Sequence, residues 1–348
     1  MSPLPENPLK IAVVGCGAVT ELRHLPALAQ RHDVQIVALV DNNQNRAQKL
    51  ADDFLVPRVL PNHQALLDLG VEAAIVAVPN HLHASVSVDL LRAGVHLLVE
   101  KPMALTVAEC DTMIEAAALG KAVLAVGFVR RFLHAARFVK WAIDDGFLGR
   151  IRSFDVRDGY VFAWPMASDF FFRKEKAGGG VLMDAGVHTL DELLWWLGEV
   201  RSFEYYDDSL GGVEADCELH LTFESGVSGI LEASRTRNLR NTAIIRGERG
   251  ELEVGLWQNA LQLRLSGSPV EIVGQGGIWH SAEAPDQDNV SIIVDEHDDF
   301  LSAIRTGRSP AVGGVAAKQS IELVEACYRQ RRPLVAAWEE TNVERSVR

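Results

Sequence analysis

Residues 11–20 (IAVVGCGAVT) constrain the fold of this chain more than any other stretch. Four apolar residues lead directly into a glycine-rich turn, and residues 19–30 have a sequence compatible with a helix. A short apolar run that ends at glycine is typical of a buried parallel strand. Gly15 permits a tight turn, and Gly17 lets the backbone come close to a pyrophosphate that the helix N-terminus attracts. The stretch therefore predicts a dinucleotide-binding turn, with an ordinary strand–helix corner as the alternative.

An acidic residue stands where the dinucleotide-binding motif requires one. Residues 34–40 (VQIVALV) predict the next strand, and Asp41 ends it, in position to hold the ribose hydroxyls. The negative charge of Asp41 would repel a 2′-phosphate, so the sequence predicts NAD as the cofactor, with NADP less favoured. Arg46 is the nearby cation, and we interpret it as a residue on the helix surface. Thr20 replaces the third glycine of the motif, a position that serves helix–strand packing more than phosphate contact.

The rest of the chain divides into two patterns. Up to residue 127, apolar strands alternate with helices, which predicts a doubly wound parallel sheet with helices on both faces. After a linking helix over residues 131–144, short alternating runs predict antiparallel strands and three further helices. We therefore expect an α/β fold, with a Rossmann domain over residues 1–128 and an α+β domain over residues 129–348. The strands expected in the second domain are 152–158, 217–223, 227–233, 243–246 and 261–265, and the helices are 180–197, 289–305 and 315–330.

Charge and cysteine content exclude several classes of partner. The net charge of −13 argues against a nucleic acid or an anionic membrane surface, because both would be repelled. No apolar run approaches the length of a membrane span, and the first ten residues do not have the pattern of a secretory signal. The four cysteines are scattered without metal-ligand spacing, as expected of buried thiols in a reducing cytoplasm.

Lys101 is the first candidate for chemistry. The sequence Glu100-Lys101-Pro102 directly follows a predicted buried strand, and ligands of open α/β sheets bind beyond the carboxyl ends of the strands. Pro102 restricts the conformation of the residue before it, which helps to aim the lysine side chain. A partly desolvated lysine there can exchange a proton with a substrate oxygen. A solvated loop lysine is the alternative.

A second candidate cluster follows three consecutive glycines. If residues 180–197 are helical, Asp184, His188 and Asp191 lie at i, i+4 and i+7 on one face, which would then face a cleft. A histidine can act as acid or base near neutral pH, and Asp184 would orient it or contact a substrate hydroxyl. The alternative is a polar stripe on a solvated helix face. Neither the number nor the spacing of these residues fits a zinc site, so no metal is expected.

Taken in order, these motifs resemble the Gfo/Idh/MocA family of nicotinamide-dependent oxidoreductases, and the similarity extends from Leu9 to about Pro333. The family includes glucose–fructose oxidoreductase and inositol dehydrogenase. The resemblance implies a Rossmann domain followed by a domain with an open antiparallel sheet, which often forms an oligomer interface. The matching segments are Gly15-x-Gly17, Asp41, Val78-Pro79-Asn80-His81-x-His83, Glu100-Lys101-Pro102 and Gly178 through Asp184-x-Gly186-x-His188-x-x-Asp191.

The resemblance also implies roles for individual residues. It gives Lys101, His188 and Asp184 as the catalytic positions and a sugar or cyclic polyol as the substrate, in a homo-oligomer that is a dimer or a tetramer. The alcohol proton would pass to His188 or Lys101 while a hydride goes to the nicotinamide. The residues implied to bind the cofactor are Gly15, Gly17, Ala18, Val19, Asp41, Pro79, Asn80, His83, Glu100 and Lys101.

Two alternative functions remain open at this point. One is an NAD-dependent glycosidase that oxidises the sugar only transiently, and the other is a non-catalytic sensor of the cofactor. A sensor needs no proton-transfer pair, so the presence of both Lys101 and His188 argues against it. Further sugar contacts are possible from residues in expected loops, although packing roles are the more common use of such residues. These are Arg130, Arg131, Tyr160, Trp164 and Arg173.

Overall fold

The computed structural model of the chain describes residues 8–166, 168–267, 271–274 and 288–334. Within these ranges the chain builds two β-sheets, each packed against helices. The first seven residues, which form most of the segment without a signal-like pattern, lie outside the described part.

The first sheet has six parallel strands in the order β3-β2-β1-β4-β5-β6, as predicted for a doubly wound fold. The second predicted strand has the bounds expected for it, because a mostly apolar run lies between Asp33 and Asp41. The strands are β1 (Leu9–Val14), β2 (Val34–Val40), β3 (Val59–Leu60), β4 (Ala73–Val76), β5 (His96–Glu100) and β6 (Leu124–Gly127).

Helices connect these strands. The helix after β1 begins at Ala18, contains a π-helical turn over Thr20–His24, and continues as an α-helix from Leu25, so that Pro26 comes directly after the π-helical turn. Short 3₁₀ turns occupy Gln64–Leu69 and Asn80–Leu82. The α-helices are α1 (Leu25–Ala29), α2 (Gln44–Asp53), α3 (His83–Arg92) and α4 (Val107–Gly120).

The second sheet has nine strands in the order β14-β13-β12-β11-β7-β10-β9-β8-β15. Its strand pairs are antiparallel except for β7 with β10 and β8 with β15, so the expectation of a largely antiparallel sheet is confirmed. The strands are β7 (Ile151–Gly159), β8 (Val200–Asp207), β9 (Asp216–Phe223), β10 (Ser228–Ser234), β11 (Thr242–Gly247), β12 (Gly250–Gly255), β13 (Leu261–Leu265), β14 (Glu271–Gly274) and β15 (Arg332–Pro333).

We call residues 8–128 the first half of the chain and the described residues from 129 to 334 the second half. Two helices of the second half pack against the first sheet. Phe300 and Leu301, on the first of them, share an apolar core with residues of the first sheet, and the backbone amide of Val126 donates to Val312 (3.0 Å) just before the second. The helices of this half are α5 (His134–Asp144), α6 (Lys174–Ala177), α7 (Val187–Leu197), α8 (Ser291–Thr306) and α9 (Gly314–Arg329).

Strands β8, β12, β14 and β15 are absent from the prediction, and β8 and β12 are the two longer ones. In β12, Leu252 and Val254 are buried while the glutamates between them are half-buried, a period-2 pattern with only two apolar residues. Strand β8 carries polar residues at most positions. Strands β8 and β12 are stabilised by pairing with neighbouring strands, and a search for short apolar runs in the sequence does not detect such pairing.

None of the helices in the described ranges has the length and apolar character that crossing a membrane requires. All four cysteines lie within those ranges, and each is buried with a free thiol.

Candidate active site

A cavity of about 670 Å³ opens at the carboxyl ends of the parallel strands, between the first sheet and segments of the second half. Ligands of open α/β sheets bind at this edge. The lining from the first half includes Gly15, Gly17, Ala18, Val19, Arg23, Asp41, Arg46, Pro79, Asn80, His83, Glu100 and Lys101. The lining from the second half includes Tyr160, Phe162, Trp164, Phe170, Phe171, Asp184, His188 and Trp257.

The glycine-rich turn forms one end of this cavity. Gly15 has a φ of +102°, and a Cβ atom there would lie 2.2 Å from the carbonyl oxygen of Ala77. A Cβ atom on Gly17 would meet nothing within 4 Å, so the backbone is open to the cavity at this point. The Thr20 hydroxyl is buried and donates to the Gly15 carbonyl at 2.6 Å. Thr20 thus closes the turn with a hydrogen bond that a third glycine would lack.

Asp41 lies beside this turn, and its carboxylate accepts hydrogen bonds from two backbone amides and from an arginine. It accepts hydrogen bonds from the backbone amides of Cys16 and Asn43, both at 2.7 Å. The Arg46 guanidinium lies 3.0 Å from both of its oxygens. The interpretation of Arg46 as a surface residue is therefore wrong: its side chain folds back over the first turn of α2 and lines the cavity.

The Val78–His83 segment lines the cavity, but the polar side chains of Asn80 and His83 form hydrogen bonds with backbone carbonyls of the protein. The side-chain amide of Asn80 donates to the carbonyl of Ala177 (2.9 Å), which ties the first half to the second. The ring nitrogens of His83 lie 2.7 Å from the Pro102 carbonyl and 2.8 Å from that of Val78. Burial lowers the pKa of His83, and a neutral imidazole donates to one carbonyl at a time. His83 thus holds the loop after β5 against the loop after β4.

Glu100, the last residue of β5, connects the cavity to two buried histidines. Its Oε1 lies 3.0 Å from Nε2 of His24, and Nδ1 of His24 lies 3.1 Å from Nε2 of His297. The other carboxylate oxygen of Glu100 accepts the backbone amide of Lys101 (3.1 Å). Burial alone would raise the pKa of Glu100, but the hydrogen bond and charge of His24 lower it. The arrangement fixes the backbone at Lys101.

Lys101 and Asp184 meet across the cavity. The Lys101 ammonium donates to Oδ1 of Asp184 (2.8 Å) and to its main-chain oxygen (3.0 Å). The other oxygen, Oδ2, accepts Nη2 of Arg235 (2.7 Å). Burial alone would raise the pKa of Asp184, yet the charges of Lys101 and Arg235 lower it to about 2. Asp184 is thus an anion that orients Lys101, and the expectation that it orients His188 is wrong.

His188 lies in the same cavity, in the first turn of α7. Its ring meets the rings of Phe128 and Trp257 edge to face, with centroids 5.8 and 5.7 Å apart. Its Nδ1 atom is buried and has no hydrogen-bond partner among the described residues. Burial, followed by the charges of Lys101, Arg130 and Arg23, lowers the pKa of His188 well below its usual value. The imidazole is therefore neutral at pH 7.

The expected stripe of three polar residues on one helix face does not form. Residues Leu182–Gly186 make a π-helical turn, which changes the register between Asp184 and α7. Asp191 is buried and accepts two hydrogen bonds of 2.7 Å from Arg131. It therefore takes part in packing the second half and does not line the cavity.

The residues expected in cleft loops divide into two groups. Tyr160 and Trp164 line the cavity as expected, whereas Arg173 pairs with Asp169 away from it. Arg130 is buried, donates to Asp158 (2.8 Å), and lies 3.7 Å above the ring of Trp257. The side chains of Arg130 and Arg131 therefore support the walls of the cavity from behind.

The sequence interpretation missed Arg235, Arg23 and Trp257. Arg235 directly follows β10 and reaches Asp184 only because β10 pairs with β7 in the centre of the second sheet. No local motif marks any of the three, and their proximity to the site depends on tertiary packing. Among the described residues, no group of three or more histidine, cysteine, aspartate or glutamate side chains is arranged to hold a metal ion.

Comparisons with known proteins agree with this geometry. A family model described as an oxidoreductase family with an NAD-binding Rossmann fold matches residues 9–128, and the GFO/IDH/MocA C-terminal domain model matches residues 136–253. The chain is 33% identical to D-glucoside 3-dehydrogenase of Escherichia coli K12 over 62% of each protein. It thus spans less than two thirds of that relative.

Two further proteins match along almost their whole length. The dTDP-3,4-didehydro-2,6-dideoxy-alpha-D-glucose 3-reductase of Saccharopolyspora spinosa is 26% identical, with 94% of this chain and 98% of the relative covered. The crystal structure of aldose-aldose oxidoreductase from Caulobacter crescentus, complexed with glycerol, superimposes with a TM-score of 0.82. It is 26% identical and covers 93% of this chain and 97% of its own.

Proposed function

We propose that this chain, which belongs to the Gfo/Idh/MocA family of oxidoreductases with an NAD-binding Rossmann domain, catalyses a hydride transfer. The hydride passes between a nicotinamide cofactor and a hydroxyl or keto carbon of a sugar or cyclic polyol. One observation carries the proposal. Lys101 from the first half and Asp184 and His188 from the second converge on one cavity at the carboxyl ends of the parallel strands.

The residues at the other end of the cavity fit a dinucleotide. Gly17 leaves the backbone open where a pyrophosphate would approach, and the amides of Ala18 and Val19 begin the helix that attracts its charge. The carboxylate of Asp41 lines this end of the cavity and would accept hydrogen bonds from the ribose hydroxyls in place of those from Arg46. Bound there, the nicotinamide supplies the site that accepts or gives the hydride. The cofactor that these residues favour is NAD.

Lys101 and His188 have different roles at the substrate oxygen. An ammonium has three N–H donors, and Lys101 uses two of them on Asp184. The third can donate to a substrate oxygen and stabilise the negative charge that develops on it. His188 is neutral and can accept the hydroxyl proton during oxidation. The carboxylate of Asp184 keeps the lysine in place.

The assay for this proposal is reduction of NAD by a panel of sugars, cyclic polyols and glycosides. We expect stoichiometric growth of the NADH absorbance with at least one member. Release of free sugar from a glycoside without net NADH would instead identify an NAD-dependent glycosidase. NADH binding without either reaction would identify a sensor. The relatives named above are a dehydrogenase, a reductase and an oxidoreductase, which favours net oxidation or reduction.

Cofactor choice provides a paired prediction. The Asp41 carboxylate should make NADH bind more tightly than NADPH, although Arg46 offsets part of its charge. Asp41→Ala should narrow this preference, and Arg46→Ala should widen it, each by roughly tenfold, as expected for one charged hydrogen-bonded contact. Fluorescence titrations of both reduced cofactors measure the change. NADPH binding to the wild-type protein at least as tightly as NADH would contradict the assignment.

The pH dependence of oxidation tests His188. Because its folded-state pKa is lowered, the imidazole keeps its neutral, proton-accepting form as the pH falls through 6.5. We expect kcat/KM for alcohol oxidation to stay level there and to fall only at clearly lower pH. A loss of activity centred near pH 6.5 that disappears in His188→Gln would show that the histidine ionises normally and is solvated.

We further propose a homo-oligomer formed through the outer face of the second sheet. The inner face packs Val156, Leu231 and Leu252 into the core, so the alternate residues point outward. This outer face carries half-buried ion pairs such as those of Asp155 with Arg157 and of Arg246 with Glu251. Light scattering should report a dimer or a tetramer, and a monomer at all concentrations would reject the proposal.

We propose two further features of the protein from its sequence. They are the division into domains at residues 1–128 and 129–348 and the cytoplasmic location. We propose that α8 and α9 complete the cofactor domain in space, because both pack against its elements.

A further inference from the structure

Arg23 differs from the other cations that line the cavity. It lies on the π-helical turn after the glycine-rich turn, is half-buried, and lines the cavity. Its guanidinium carbon lies 5.4 Å from the centroid of the Trp164 ring. Lys101 is paired with Asp184, and Arg46 is paired with Asp41. No carboxylate in the described part of the chain lies within ion-pair distance of Arg23.

The charge of Arg23 acts at the catalytic end of the cavity. Arg23 directly precedes His24, whose Nε2 lies 3.0 Å from Oε1 of Glu100, the residue before Lys101. Its charge also contributes to the lowered pKa of Glu100 and to the lowered pKa of His188. Trp164 belongs to the loop after β7, which is a segment of the second half and not of the glycine-rich turn. The arginine therefore lies between the glycine-rich turn and the loop that lines the cavity from the second half.

Local charge supports an anion at this point. Lys101, Arg23 and Arg235 face two ionised carboxylates, Asp184 and Glu100, which leaves an excess of positive charge. Glu296, which interacts with Glu100 and Arg23, adds no charge, because burial raises the pKa of its carboxyl well above the usual value. The whole chain has a net charge of −13, so this excess runs against the overall balance. A half-buried cation without a partner is costly, and an anionic ligand removes that cost.

We propose that Arg23 binds an acidic group of the substrate, so that the preferred sugar carries a carboxylate or a phosphoryl group close to the reacting carbon. This inference rests on the proposed hydride-transfer function. A guanidinium forms bidentate, charge-assisted hydrogen bonds with either group. Contact with the Trp164 ring orients it in advance, which lowers the entropy lost on binding.

The pyrophosphate of the cofactor is the competing source of the anion. Val19 lies one turn before Arg23 and lines the same cavity, so the arginine could reach a phosphate bound at the helix N-terminus. The experiment must therefore measure cofactor affinity and sugar affinity separately.

The test uses Arg23→Met, with Arg46→Met as the matched control, because Arg46 is a cavity-lining arginine at the adenosine end. NADH affinity is measured first by fluorescence. Calorimetry then gives the Kd of D-glucuronate, D-glucose 6-phosphate and D-glucose for each protein saturated with NADH. Melting temperatures establish that both variants fold, and Arg23→Lys tests whether charge alone restores binding.

We expect at least one acidic sugar to bind the wild-type NADH complex more tightly than D-glucose. Arg23→Met should reduce that preference by about 10- to 100-fold, the range for a hydrogen bond to a charged group. Arg46→Met should leave it unchanged, and Arg23→Lys should restore part of it. Whichever acidic sugar gains most distinguishes carboxylate from phosphoryl recognition.

Three results would overturn the inference. They are equal or tighter binding of D-glucose, a preference that survives Arg23→Met, and a loss of NADH affinity in Arg23→Met that accounts for the whole effect. In the last case the arginine serves the pyrophosphate. If NADH itself fails to bind the wild-type protein and no sugar or polyol reduces NAD, the proposed function fails, which is a separate outcome.

Discussion

Replacing Lys101 or His188 by alanine is expected to lower turnover by about 10²–10⁴-fold each, the usual cost of removing one member of a proton-transfer pair. In the proposed mechanism, Lys101 stabilises charge on the substrate oxygen, and His188 accepts the hydroxyl proton. Neither lies at the glycine-rich turn, so NADH affinity should change little. The measurement combines kcat for the best substrate of the panel with fluorescence titration of NADH.

The double variant is the sharper test. If the two residues act on the same oxygen in one step, their combined loss should be much smaller than the product of the single losses. Lys140→Ala is the matched control, since Lys140 is also an ion-paired lysine (2.6 Å to Asp144) but lies on α5 outside the cavity lining. Independent, multiplicative losses would show that the two side chains do not work on one reacting atom.

Two alanine substitutions in the glycine-rich turn should both weaken NADH binding, but only one of them should lower the stability of the cofactor-free protein. Gly15→Ala puts a Cβ atom 2.2 Å from the carbonyl oxygen of Ala77, at a φ that alanine rarely adopts. The turn must then shift, and we expect the free energy of unfolding to fall by about 1–3 kcal/mol together with a loss of NADH binding. Thermal melts of the cofactor-free protein and NADH titrations measure the two effects.

Gly17→Ala is the matched partner of that variant. Its Cβ atom meets nothing within 4 Å, so the cofactor-free protein should melt as the wild type does. The same atom would project toward the pyrophosphate, and overpacking there should weaken NADH binding by about tenfold or more. Wild-type affinity in Gly17→Ala would show that the dinucleotide does not approach this turn.

The strands and site residues of the first half could be predicted from local sequence patterns. The strand before Gly15, the strand that ends at Asp41 and the lysine after β5 are each defined by a few consecutive residues, and all lie at one edge of the sheet. Parallel topology brings such strand ends together without further information. The fold and the family could therefore be predicted from the sequence.

The partners of the site residues could not be predicted in the same way. An ideal helix places Asp184 and His188 one turn apart, but the π-helical turn alters that register. Arg235 lies 51 residues from Asp184 in sequence, and it reaches the carboxylate only through the order of strands in the second sheet. Arg46 looks like a surface residue by periodicity, yet attraction to Asp41 draws it into the cavity.

The contact between Lys101 and Asp184 spans 83 residues of sequence, which matters while the protein is being synthesised. The turn that would hold the dinucleotide leaves the ribosome long before the carboxylate that orients the lysine. Neither the lysine's orienting partner nor His188 exists at that stage, so a nascent chain lacks the means to transfer a hydride. The proposed hydride transfer can begin only when the second half has folded onto the first. Substitutions in the loop after β7 would change the wall of the cavity at Trp164, whereas the contact between Lys101 and Asp184 is made by other segments of the chain.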